Sequence, residues 1–288
     1  MSMSIHPRIP VLDRGYVQRI ETWGSDERIV ESARMSTSGA FRGWGPIDNG
    51  PCLTCNDPSN RNRRPGKCWN CSFSSTEHLC HYCNGSGRDL KPGDEKLLRY
   101  LFENHHSTPF EFGGLVIEVQ APIMVFREWH RHRTQSYTEM SARYSPLPDC
   151  HYIPTAERCL VVNGANKQAN AVKGAATLTH ESALEWLEAL AAYYAMGEAL
   201  YQDGLARGIP KELARLPVTV GRYSRMRAST CLRNWLAFLT LRSDLHPEGG
   251  AAQWEIRQFA NAVGALLIDA FPRTMALFTG ADISTGAK

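Results

Sequence analysis

RHRTQSYTEMSARY, residues 131–144, decides how this chain is read. Arg131, His132 and Arg133 stand side by side, and a hydroxyl-rich run leads from them to Ser141 and Arg143. An arginine presents a rigid fork of donors that fits phosphates and carbonyls two bonds at a time. Two of them flanking a histidine need anionic company wherever they leave water. The cluster reads either as a site for a multiply anionic ligand, such as a nucleotide or a flavin, or as a solvated charged turn.

Composition narrows the setting. A chain of 288 residues holds one large domain or two small ones. Its 43% hydrophobic and 21% charged residues are ordinary for a soluble globular protein. A net charge of +3 is too small to imply nonspecific binding of nucleic acid. There is no apolar run of about 18 residues to span a membrane. The opening MSMSIHPRIPVLDRG has no apolar core of signal-peptide length. A cytoplasmic setting is the expectation.

Gly15–Trp23 alternates loosely and reads as a strand, followed by a helix from residue 25 to 34 with acids in its first turn. Residues 94–104 carry apolar side chains at helical spacing. Residues 114–129, rich in Val, Ile and Phe, read as one or two strands with Pro122 marking a bulge or an edge. A long helix is predicted over 177–205, its core stripe running through Leu184, Leu187, Leu190, Ala191 and Met196. Further helices are predicted over 211–215, 228–242 and 251–271, the last stopped by Pro272, with a frayed tail after 279. Strands and long helices mix without regular βαβ alternation, which indicates an α+β fold. No G-x-G-x-x-G follows a strand, so any flavin is held by another device.

Residues 39–92 interrupt this pattern. The stretch is rich in Gly, Pro, Asn, Ser, Arg and Cys, has no sustained apolar period and cannot build a core of its own. It reads as an insertion between two helices. Six of the nine cysteines lie in it as three C-x-x-C pairs, Cys52/Cys55, Cys68/Cys71 and Cys80/Cys83. In a cytoplasmic chain that spacing favours metal over disulfides, and each pair can give two thiolates to a tetrahedral zinc. Such a structural zinc would supply the folding energy the segment lacks. The other reading is a loop with free thiols. Cys80-His81-Tyr82-Cys83-Asn84-Gly85-Ser86-Gly87 resembles a zinc-binding repeat of J-domain chaperones. That resemblance makes Cys80 and Cys83 ligands with Cys52 and Cys55 as partners; Cys68 and Cys71 replace either pair or join His78 or His81. Arg61, Arg63, Arg64 and Lys67 read as a solvated basic loop, or as a contact to nucleic acid or a partner.

The whole pattern, Arg131-His132-Arg133, seven residues, Ser141 and then Arg143, resembles the signature of flavin-dependent thymidylate synthases. Further blocks match in order. They are His106-Ser107-Thr108-Pro109-Phe110-Glu111, Ala121-Pro122-Ile123-Met124-Val125-Phe126-Arg127-Glu128-Trp129, Glu212-Leu213-Ala214-Arg215, Phe238-Leu239-Thr240-Leu241-Arg242 and Gln253-Trp254-Glu255-Ile256. The resemblance implies a curved antiparallel sheet flanked by long helices, in a homotetramer that holds each flavin between subunits. It implies a flavin site of His106, Thr108, Glu111, Arg131, His132, Arg133, Arg233 and His246. It implies a site for a pyrimidine nucleotide of Glu128, Arg131, Glu139, Ser141, Arg143, Arg215 and Arg242.

The implied reaction is reductive methylation of dUMP to dTMP. Methylenetetrahydrofolate gives the carbon, NADPH reduces FAD, and the flavin carries the hydride. Of the two implied catalytic residues, Arg242 polarises the ring by stabilising negative charge, while Ser141 contacts the nucleotide and is not a covalent nucleophile. Three positions depart from the family pattern: Glu128 and Thr138 replace its usual glutamine and asparagine, and Ala237 stands where asparagine is frequent. A carboxylate accepts but does not donate unless protonated. Either Glu128 is paired with Arg127 or a neighbouring arginine, or the substrate has changed to UMP or dCMP, or the product is hydroxymethylated. A further reading is an inactive, zinc-containing binding scaffold.

Overall fold

The computed structural model describes residues 7–53, 88–161 and 171–281. The first hairpin joins β1 (Arg8–Val11) to β2 (Gly15–Trp23). Helix α1 (Asp26–Arg34) follows, capped by Ser25, whose hydroxyl accepts from the Arg28 N–H. Strands β3 (Ile47–Pro51) and β4 (Arg88–Lys91) pair antiparallel, and α2 (Glu95–Glu103) comes next. Strand β5 (Gly114–Pro122) runs directly into α3 (Ile123–Trp129), and β6 (Ser136–Glu139) follows. Helices α4 (Ala156–Leu160), α5 (His180–Ala206) and α6 (Lys211–Ala214) precede β7 (Tyr223–Cys231). The chain ends in α7 (Leu232–Arg242), α8 (Trp254–Ala270) and α9 (Pro272–Thr279).

The main sheet has the order β1-β2-β5-β7-β6, and every neighbouring pair is antiparallel. The α+β class expected from the sequence is what the chain adopts. On β5, Leu115, Ile117, Val119 and Ala121 are buried, while Val116, Glu118 and Gln120 on the opposite face are half-buried. The apolar face packs on Trp235, Phe238 and Leu239 of α7 and Ile256, Phe259 and Val263 of α8. The other face is polar: Gln18, Glu118 and Arg227 lie opposite one another in register. Gly114 is required where it stands, because a Cβ there would strike the Trp23 ring and lie 2.5 Å from the Thr230 carbonyl.

Three sequence expectations need correction. Residues 123–129 are a helix, not strand. Pro122 has no N–H to continue a ladder and closes β5; the freed N–H groups of Ile123 and Met124 donate to the carbonyls of Arg222 and Val220. Residues 228–231 belong to a strand, not to the following helix. Met226, Ala228 and Thr230 are buried while Arg225 and Arg227 are exposed, and this period of two extends to Cys231. The core stripe of α5 is Ala183, Leu187, Tyr194 and Tyr201; Leu184 and Met196 are 46% and 64% exposed, and Leu190 and Ala191 are half-buried. Leu187 apart, this helix packs through small residues and tyrosines, Gly204 against Ala214 among them. Pro272 ends α8 but also opens α9, where its missing N–H costs nothing.

The predicted insertion is entered and left through β3 and β4. Its base is tied down at Asp94, which is fully buried, pairs with Arg34 and accepts from the Arg42 N–H at 2.7 Å. Cys52 is buried. Cys55, Cys68, Cys71, Cys80 and Cys83 lie outside the described residues, as does the tail from 282. Among the described residues no group of three or more His, Cys, Asp or Glu could hold a metal, and no helix is long and apolar enough to cross a membrane.

Asp26 joins the two ends of the fold. Its buried carboxylate accepts from the backbone N–H of Arg273 at 2.8 Å and of Thr274 at 3.2 Å, and from the Thr274 hydroxyl at 2.6 Å. It thus serves as the missing cap of α9 from a different helix. Asp26→Ala leaves these donors buried and unmet, and should cost about 2 kcal/mol of stability, read as a lower urea midpoint with unchanged slope.

Candidate functional site

The ends of α3 and α7 meet. Trp129, fully buried, stacks on Phe238 at 4.8 Å and donates its indole N–H to Gln135 at 3.0 Å. That contact brings the last residue of α7 to the last turn of α3. Arg242 Nη1 donates to Glu128 Oε2 at 2.7 Å, Nη2 reaches the Glu128 carbonyl at 3.4 Å, and Nε donates to His132 Nε2 at 3.0 Å. The Arg242 side chain is only 13% exposed. Glu128 is therefore a paired carboxylate, and its partner is Arg242 rather than Arg127, which is exposed. The fold had to bring that arginine from 114 residues away.

His132 is neutral in this arrangement. Burial removes solvent from the ring and the neighbouring Arg242 cation opposes a second charge, so its pKa falls to about 4. Accepting from Arg242 requires a bare Nε2, which places the proton on Nδ1. The Tyr137 hydroxyl fixes the loop by donating to the His132 carbonyl at 2.7 Å, and its own pKa is raised by burial.

Two cavities flank these helices. One, of about 480 Å³, is lined by Arg127, His130, Glu139, Ser141 and Arg215 over a floor that includes Ile123 and Leu216. The Ser141 hydroxyl accepts from the Arg143 N–H at 3.3 Å, closing a tight turn. The other, of about 370 Å³, is lined by His106, Ser107, Arg233, Ala237 and His246 over Leu101, Phe110 and Phe278. Glu111 is drawn to it by its ion pair with Arg233. His246 packs on Phe278, and its Nδ1 accepts from the Glu248 N–H at 3.2 Å.

The structure thus gathers Glu139, Ser141 and Arg215 in one place, His106, Arg233 and His246 in a second, and Glu128, His132 and Arg242 in a third. Other expected residues stand outside the cavities. Arg131 and Arg133 are exposed, without a side-chain partner among the described residues. Arg143 is exposed and faces Glu212 at 3.7 Å. Thr108 opens the short 3-10 turn Thr108–Glu111. Of the departures, Ala237 lines the second cavity, and Thr138 is exposed on β6 opposite Arg227. Sequence reading passed over Arg127 and His130, although both adjoin positions it did single out. It also passed over Arg34, Ser36 and Thr37, which line a further cavity of about 360 Å³ sharing His106 and Leu101 with the second.

Comparison with known proteins shows the family. Residues 20–273 match the Thy1 family, described as thymidylate synthase complementing protein. The flavin-dependent thymidylate synthase of Thermus thermophilus is 32% identical over 275 residues, covering 94% of this chain and 77% of that protein. That of Ruegeria pomeroyi is 31% identical, covering 94% and 73%. Among solved structures, a UMP/dUMP methylase, PolB, from Streptomyces cacaoi bound with 5-Br UMP is similar with a TM-score of 0.66 at 25% identity, over 95% of this chain and 97% of that one. The chain belongs to the flavin-dependent thymidylate synthase family.

The depressed pKa of His132 has a consequence for stability. Unfolding returns the imidazole to its ordinary value of 6.5, so between about pH 6.5 and pH 4 the unfolded chain binds the extra proton. The folded state should lose stability as the pH falls through that window. In His132→Gln the pH dependence of the thermal midpoint should be flatter there, and imidazole nitrogen shifts of the wild type should show Nδ1 protonated at neutral pH.

Proposed function

We propose that this chain catalyses the reductive methylation of dUMP to dTMP, with methylenetetrahydrofolate as carbon donor and NADPH as reductant. The observation that carries the reading is the placing of Arg242 where the helices bordering the two cavities meet, held by its own hydrogen bonds. The first cavity suits a nucleotide: Arg127 and Arg215 offer guanidinium forks to a phosphate, and the Ser141 hydroxyl offers a further donor. Arg242 keeps two N–H groups free for a pyrimidine ring, since three of its five already have partners. In a site shielded from water, such donors stabilise negative charge on the ring and make its C5 a better nucleophile.

The second cavity fits one end of a flavin. Its floor is apolar and aromatic, its rim carries three histidines, Arg233 and Glu248, and its size falls in the range of cofactor sites. FAD bound there would supply the hydride that reduces the transferred one-carbon unit to a methyl group. His106, Thr108, Glu111, Arg233 and His246 would hold it from this side, with Arg131, His132 and Arg133 serving its charged part. A cavity of about 370 Å³ does not enclose a whole dinucleotide. Arg131 and Arg133, exposed in one chain, fit a site completed by another subunit of a homotetramer. Trp186, Tyr193, Met196 and Leu200 of α5, each more than half exposed, offer apolar surface for such association.

The single catalytic domain would carry the 39–92 insertion as a zinc-stapled appendage in the cytoplasm. The full chain should retain zinc through dialysis, and Cys80→Ser with Cys83→Ser should release it, as read by metal analysis; a metal-free wild type would leave the loop of free thiols. A second reading, methylation or hydroxymethylation of UMP or another pyrimidine nucleotide, is favoured by the likeness to the UMP/dUMP methylase.

Incubation with FAD, NADPH and methylenetetrahydrofolate should convert dUMP to a product heavier by one methylene group, read by mass spectrometry. Arg242→Ala should reduce turnover on the order of a hundredfold or more while the protein stays yellow. A mass gain with UMP or dCMP alone, or one matching hydroxymethyl, would move the substrate or the product. A colourless, inactive protein would return the chain to the scaffold reading.

A further inference from the structure

Glu128 is the one place where the site carries a charge its family pattern lacks, and the structure shows where that charge goes. The Arg242 guanidinium is mostly buried, and a buried cation needs an anion or several acceptors to be tolerated. Here it has three acceptors from two neighbours: the Glu128 carboxylate, the Glu128 carbonyl and the neutral His132 ring. A neutral amide at position 128 would provide one acceptor but no charge. With the carboxylate, the three side chains together carry no net charge, because His132 stays unprotonated. An arginine held at Nε, Nη1 and Nη2 cannot swing, so the directions of its two remaining N–H groups are fixed with it.

Two effects oppose each other. Orientation favours turnover, because donors aligned before the reaction need no rearrangement as charge develops. The carboxylate also cancels the attraction that a bare Arg242 would exert on an anionic nucleotide, leaving Arg127 and Arg215 to supply it. We propose that Glu128 is a positioning residue that holds Arg242 as an internal ion pair, gaining turnover at the expense of nucleotide affinity. The proposal rests on Arg242 acting on the pyrimidine ring as read above.

The test is a comparison of E128Q and E128D with wild type in the flavin-loaded protein. It uses dUMP binding by calorimetry and kcat under saturating co-substrates. Glu128 is 40% exposed at its side chain, so both variants should fold. E128Q should bind dUMP several-fold more tightly, since a like charge has been removed, and its kcat should fall on the order of ten- to a hundredfold. E128D keeps the charge on a shorter arm, so its affinity should match wild type and its kcat should lie between the two. Unchanged kcat in E128Q would overturn the proposal, and so would weaker dUMP binding, which would mean that Glu128 grips the nucleotide itself. A wild type that binds or turns over none of dUMP, UMP and dCMP would instead remove the proposed function on which the inference stands.

Discussion

The pairing of β5 with β7 is the constraint on which the site depends. The two strands run antiparallel in unbroken register from Gly114 opposite Cys231 to Pro122 opposite Tyr223. Each passes without a loop into a helix, β5 into α3 at one end and β7 into α7 at the other. A nine-residue strand spans roughly 27 Å, while helices of seven and eleven residues extend about 10 Å and 16 Å. Two helices that start at opposite ends and fold back over the sheet therefore meet tip to tip. Trp129 on Phe238 is that meeting, and Glu128, His132 and Arg242 are its polar edge. A slip of one residue in the register would turn every side chain of the moved strand to the other face and separate the two tips.

Burial at this junction decides the chemistry of the groups it holds. A histidine between two arginines in sequence looks like the most basic point of the chain. Folding instead makes it reluctant to charge, because the ring leaves water beside Arg242. The arginines on either side of it go the opposite way and remain exposed. One triplet thus divides into a neutral acceptor facing inward and two free cations facing outward, which suits a site finished by a second subunit. Glu128 shows the same dependence: its partner was not a neighbour in sequence but an arginine delivered by the strand register.

Much of this was legible in the sequence. Loose alternation placed β2, acids after Ser25 placed α1, and ordered motifs brought out some of the residues that line the cavities. What escaped has physical reasons. Ile, Met, Val and Phe after Pro122 have strand propensity, but an apolar run of that length does not separate strand from buried helix, and the acceptors that start α3 are carbonyls about a hundred residues away. The alternation of β7 was masked by its small residues, Ser224, Ala228, Ser229 and Thr230, which carry little hydrophobic contrast. Arg127 and His130 gave no signal of their own, because only the turn of α3 shows that they face the cavity holding Ser141.

The most direct test of the account is the crystal structure of the flavin-loaded protein with 5-bromo-dUMP, in which the bromine marks the pyrimidine by its anomalous signal. The account predicts a single bromine site per chain with the ring against the free N–H groups of Arg242 and the phosphate on Arg127 and Arg215. Bromine located away from Arg242, or a ring held there by Glu128 with the Arg242 ion pair broken, would contradict it.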